Sequence, residues 1–123
     1  MKLLDQLARI AELEFATILT GTQAIEPKRR FFLADGSFVD VWASVKLPGR
    51  FGSHWERRHV DGTVYRYDNF PDPAWHSVAT FPHHFHDGSE TNVVASPFPT
   101  DLLEGFRTFL AFVGSRLQTS KGT

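Results

Sequence analysis

The chain has 123 residues, a formal net charge of −1, 41% hydrophobic and 14% aromatic residues, and no cysteine. That is one globular domain with enough apolar mass for its own core, and it excludes a disulfide scaffold, a thiol nucleophile, a thiolate metal centre and a net charge that would draw polyanions to the whole molecule. No apolar run approaches the roughly 18 residues of a membrane-spanning helix, and Lys2 and Asp5 interrupt any signal-peptide core at the start, so the expected location is cytoplasmic.

Leu4, Leu7, Ala11, Phe15 and Ile18 recur at helical spacing, widened by Leu3 and Ile10, and predict a helix over residues 3–20. Gly21 is a natural stop, which gives an N-terminal helical segment of 1–21. Residues 22–28 read as a connector broken at Pro27. From Lys28 the period changes to two. Arg29 to Leu33 reads as a strand, Asp35-Gly36 as a hairpin turn, and Ser37 to Val45 as a second strand. That second strand puts Val39, Val41, Ala43 and Val45 on one face, with Phe38, Asp40, Trp42 and Ser44 on the other. Phe51 to Val60 is the third expected strand, Asp61-Gly62 its turn, and Thr63 to Asp68 the fourth. A two-residue turn there sets Val60 opposite Thr63, Arg57 opposite Arg66 and Trp55 opposite Asp68, all on one face. His54, Glu56, Arg58, Tyr65, Tyr67 and Asn69 then share the other face.

Residues 69–75 are a proline-broken loop, 76–81 are expected to be extended, and 91–96 form a short last strand. Asp101 and Glu104 stand at capping-box spacing. Leu102, Phe106, Phe109, Leu110, Val113 and Leu117 make the stripe of a C-terminal helix over 100–118, with a frayed tail from Thr119. The expected fold is α+β: an antiparallel meander of four to six strands over 28–96, with the N- and C-terminal helices on one face. The opposite face is left open, and an open face can bind.

The chemistry concentrates in Thr80-Phe81-Pro82-His83-His84-Phe85-His86-Asp87-Gly88, which holds three of the six histidines. Histidine titrates near neutral pH and is the commonest metal ligand. In an extended backbone His84 and His86 point to the same side, a workable spacing for two ligands on one metal. The third ligand would come from His76, His54, His59, Asp68 or Asp87. The competing reading is acid–base chemistry without metal, with Arg66, Arg57 or Lys46 stabilising charge on a phosphate. The plain structural reading has the imidazoles bonding to backbone and fixing a loop. Arg66 and Asp68 share a strand face, so an intrastrand ion pair explains them equally well, and Asp68 and Asn69 can cap the following turn. Trp42, Trp55, Tyr65, Tyr67 and Trp75 could stack on bases or fill the core. The basic groups Lys28-Arg29-Arg30, Lys46 with Arg50, and Arg57-Arg58 fit a local positive face or solvated strand ends.

Asp61-Gly62, Tyr65-Arg66-Tyr67-Asp68-Asn69, a Pro-containing loop and Thr80-Phe81-Pro82-His83-His84-Phe85-His86 follow one another as they do in the TumE-like family, which the chain resembles over roughly residues 28–117. Two features depart from that pattern. The loop after Asn69 has one histidine, His76, just beyond it, where relatives often carry a His pair, and the stretch between Trp55 and Asp61 is longer. The resemblance implies a cytoplasmic toxin neutralised by an antitoxin, often of helix-turn-helix type, and acting on RNA or translation. It implies His84 and His86 as acid/base or ligand groups, Arg66 as the phosphate-positioning group, and His83 as structural or the second proton-transfer group. Asp68 joins these four as a candidate catalytic residue. Arg57, Tyr65, Tyr67, Asn69 and Lys46 are the candidate substrate contacts. The expected activity is that of a metal-independent ribonuclease without cofactor, the variant being a divalent metal on His84 and His86. The alternative is a non-catalytic binding module that uses the open sheet face, in which Trp55, Tyr65 and Tyr67 outweigh the histidines. RNA, an antitoxin and a second copy of the chain are the expected partners.

Overall fold

A computed structural model describes residues 2–121, with side chains through residue 117. Helix α1 spans Leu3–Glu14 and buries Leu7, Ala8 and Ala11. It stops earlier than the periodicity predicts. The Phe15 amide closes on the Ala11 carbonyl at 2.9 Å, and the chain then turns into strand β1, Leu19–Ile25. The reason is local. Thr17, Ile18, Thr20 and Thr22 are β-branched, lose rotamer freedom in a helix and suit a pleated surface. Phe15 and Ile18 still pack against the core, but from a turn. The expected connector over 22–28 is therefore mostly strand.

The remaining strands are β2 Lys28–Leu33, β3 Phe38–Ala43, β4 Phe51–Arg57, β5 Thr63–Asp68, β6 His84–Gly88 and β7 Val93–Ala95. They form one seven-stranded antiparallel meander in chain order, one strand beyond the expected maximum because of β1. The sheet lies within the expected α+β class. Residues 76–81, expected to be extended, are a series of turns. Beyond β3, Val45 is 94% exposed, so the alternation does not reach it.

The largest departure lies between β4 and β5. The Asp61-Gly62 turn is not a two-residue hairpin. Arg58–Asp61 forms a helical turn, α2, closed by Gly62 at φ 82°, a backbone region that glycine enters without strain. The Asp61 carboxylate accepts from the Thr63 amide at 3.0 Å and pairs with Arg57 at 2.9 Å. Arg57 consequently faces Thr63, Trp55 faces Tyr65 and His54 faces Arg66. The expected pairing is displaced by three residues. An odd displacement exchanges the faces of one strand relative to the other, so Trp55 does not share a face with Asp68, and His54 and Glu56 do not share one with Tyr65 and Tyr67.

Helix α3, Leu102–Lys121, crosses the same sheet face as α1. Its start matches the capping spacing, with the Glu104 amide donating to the Asp101 carboxylate at 3.1 Å. The helix continues through the expected frayed segment as far as Lys121; residues 122–123 lie outside the described ones. Phe106, Phe109, Leu110 and Val113 are essentially inaccessible. They meet Phe31, Val39, Val41, Phe51, Trp55, Tyr65, Tyr67 and Phe85 from alternate positions of β2 to β6. The intervening positions form the other face, and among the described residues neither α1 nor α3 covers it. Among the described residues no helix is long and apolar enough to cross a membrane.

Candidate functional site

The antiparallel registers assemble two rows across the open face. Lys28, Trp42, Gly52, Asp68, His84 and Ala95 form one. Arg30, Asp40, His54, Arg66, His86 and Val93 form the next. Four of the five residues proposed from sequence as catalytic therefore stand as two adjacent cross-strand pairs: Asp68 opposite His84, and Arg66 opposite His86. The loop after β5 folds back over them. Its 3₁₀ turn Pro73–Trp75 is closed by the Asp72 carboxylate, which accepts from the Ala74 amide at 2.9 Å. The Trp75 ring lies 6.3 Å from that of His84 and 5.9 Å from that of His86, edge-on to the latter. The result is a cleft of about 230 Å³ over β5 and β6, with Phe70, Asp72 and Glu90 on its walls.

Asp68 is the centre of the cluster. It is 1% exposed. One carboxylate oxygen accepts from Arg66 Nε at 2.9 Å. The other accepts from the Phe70 amide at 2.9 Å and lies 3.4 Å from His84 Nε2. The ion pair and the turn cap expected for this residue are both present, and neither excludes a chemical role, since both leave the carboxylate in the cleft.

The two imidazoles are anchored alike. His84 Nδ1 lies 3.0 Å from the Pro82 carbonyl, and His86 Nδ1 lies 2.8 Å from the Glu90 carbonyl. A carbonyl can only accept, so in each ring Nδ1 carries the proton and donates it. That leaves Nε2 of each neutral ring as a lone pair turned to the cleft. The rings are 5.1 Å apart at 71° and nearly buried. His86 Nε2 has no hydrogen-bond partner among the described residues. Gly52 makes room for this arrangement: a Cβ there would stand 2.9 Å from Asp68 Cβ and 2.7 Å from the Trp42 indole nitrogen.

The other sequence candidates lie elsewhere. His83 points to the helix side, its ring stacked on Tyr67 and edge-on to Phe51. Burial, and then the nearby Arg50, lower its pKa, and its buried Nδ1 has no partner. Tyr65 and Tyr67 are 7% and 0% exposed beneath the helices with Trp55; Tyr67 donates to the Pro99 carbonyl at 2.7 Å, and burial raises its pKa. These three aromatic residues cannot be the binding platform expected for a non-catalytic module. Arg57 is buried between Asp35 at 3.0 Å and Asp61 at 2.9 Å, over the Trp55 ring. Asn69 clamps the start of β4: its side-chain oxygen accepts from the Phe51 amide at 2.9 Å, and its nitrogen donates to the Gly49 carbonyl at 2.7 Å. Lys46 is exposed in the connection from β3 to β4 and does not line the cleft. His54 pairs with Glu56 at 3.2 Å, and His59 approaches the Gly36 carbonyl at 2.8 Å. The carbonyls of Pro82 and Glu90 and the wall residue Phe70 carry no sequence signal. Trp75 is visible in the sequence as an aromatic residue but not as a neighbour of the histidines.

The α+β fold thus places one sheet face under helices and gathers an Arg, an Asp and two anchored His in a cleft on the other. A family model, Toxin TumE, matches residues 3–117, nearly the whole chain, and the chain belongs to that toxin family. Membership of a toxin family implies an antitoxin partner. Neither a curated relative nor a solved structure matches.

Proposed function

We propose that this toxin is a metal-independent ribonuclease that cleaves the RNA backbone in the cleft over β5 and β6. What supports the reading is the convergence of one guanidinium and two backbone-anchored imidazoles in a solvent-open cleft. His86 Nε2 accepts the proton of a ribose 2′-OH as that oxygen attacks the adjacent phosphorus. The P–O5′ bond breaks, and protonated His84, paired with Asp68, gives its Nε2 proton to the departing 5′ oxygen. The products are a 2′,3′-cyclic phosphate and a 5′-hydroxyl. Arg66, whose side chain is 36% exposed, binds the non-bridging oxygens as charge builds on them. Trp75 offers a base a stacking surface at the entrance. The proposed partner is a helix-turn-helix antitoxin, and the proposed place of action is the cytoplasm, where its RNA is.

The test is growth arrest on expression, together with cleavage of an RNA oligonucleotide by purified protein in EDTA. His86→Ala is expected to lower the cleavage rate by about 10²–10⁴ and to relieve arrest, with thermal unfolding close to that of the parent. A folded His86→Ala protein that still cleaves at the parental rate overturns the assignment.

A further inference from the structure

We infer that Asp68, His84 and His86 form a binding site for one divalent transition-metal cation of the zinc class. The three residues offer one ligand atom each, all within 4.8 Å of one another, and all three are buried. Both rings already have the environment that metal-bound histidines have: Nδ1–H is held by a backbone carbonyl, and Nε2 is left as the ligating lone pair. The 3.4 Å between His84 Nε2 and the Asp68 oxygen matches the roughly 3.4 Å edge of a tetrahedron with bonds of about 2.1 Å. His86 offers the third corner, its ligand atom within 4.8 Å of the other two, and the cleft supplies the open fourth. Charge agrees: among the described residues that line the cleft, Asp68, Asp72 and Glu90 stand against one cation, Arg66. Two imidazoles with one carboxylate select zinc, nickel or copper over magnesium and calcium, which take oxygen ligands.

The site itself stands on this geometry. Its consequence rests on the ribonuclease reading. A cation on both Nε2 lone pairs removes the groups that accept and deliver the proton, so binding holds the enzyme off.

The experiment is calorimetry of zinc sulfate into full-length protein purified without a histidine tag and treated with EDTA, then dialysed. One saturable site is expected, weakened at least tenfold by Asp68→Asn and by His86→Ala, while magnesium chloride gives no saturable heat. Circular dichroism melts show that the variants are folded. His86→Gln serves if His86→Ala is not. No saturable zinc binding by the parent, or binding that folded variants retain undiminished, overturns the site. In the cleavage assay one equivalent of zinc is expected to suppress the rate at least tenfold and EDTA to restore it. Cleavage that rises with zinc overturns the inhibitory role. The calorimetry contains no RNA, so a protein that binds zinc and cleaves nothing fails the ribonuclease reading and not the cation site.

Discussion

On strand β5, Tyr65 and Tyr67 sit beneath the helices, while Arg66 and Asp68, one position along, open onto the cleft. The same contrast runs across the sheet. On the covered side Val41, Ser53, Tyr67 and Phe85 lie in register, and aromatic rings from β4, β5, β6 and α3, with Phe98 from the connection before α3, pack at centroid distances of 5.0 to 6.4 Å. On the open side the registered residues include Lys28, Arg30, Asp40, His54, Arg66, Asp68, His84 and His86, which bond to neighbouring charged side chains or to loop carbonyls. A two-residue period keeps the two sets from mixing. One face can then be selected for packing and the other for chemistry, with little interference between neighbours in the chain.

That division makes the faces separable by mutation. Phe106→Ala, on the covered side and 1% exposed, is expected to cost about 3–5 kcal/mol by opening a cavity against Phe31. Denaturant unfolding measures it, and a loss below about 1 kcal/mol would show that α3 is not the lid of this core. Gly52→Ala acts on the open side. Its new methyl would press on Asp68 Cβ and the Trp42 indole, displacing the carboxylate. A misplacement of about 1 Å can cost roughly 100-fold in rate, so cleavage should fall by about that factor while unfolding shifts by far less than for Phe106→Ala. Equal damage to rate and stability would break the separation.

The smallest effect lies at the margin of the open face. Hydrogen bonds from Arg58, against an opposing effect of partial burial, hold the Glu56 carboxyl down to about 2. A depressed carboxyl stabilises the fold above its ordinary value of 4.5 and loses that contribution as pH falls through about 2. Glu56→Gln should therefore destabilise by less than about 1 kcal/mol near neutrality, because surface pairs are screened, and the difference should vanish towards pH 2 in denaturant melts. A difference that grows on acidification contradicts the sign.

The legible parts of this chain were those with local causes. The stripe from Leu102 to Leu117 reads as a helix because 3.6-residue spacing is a property of the segment itself. His84 and His86 read as a same-side pair because strand alternation needs no partner. The less legible parts were those decided by competition. The helical stripe runs to Ile18 and the next residues read as a stop and a connector, but the β-branched residues of Leu19–Ile25 gain an edge position on the sheet, and no periodicity count weighs that gain. Asp61-Gly62 carries a hairpin signal, yet Asp61 pairs with Arg57 and draws the preceding residues into a helical turn. That turn sets which face Trp55 shares.

By itself, the order of residues determined an α+β meander between two helices, the same-side histidines and the grouping of Arg66 with Asp68, all consequences of spacing within one segment. Only the tertiary structure decided that Asp68 stands opposite His84 and Arg66 opposite His86, that His83 turns away, that Trp75 lines the cleft, and that the Pro82 and Glu90 carbonyls anchor the two rings. The reason is that these contacts depend on the registers of separate strands and the path of a proline-containing loop. Both are settled by burying Tyr67 and Phe85 on the far side of the sheet, not by any preference of the site residues.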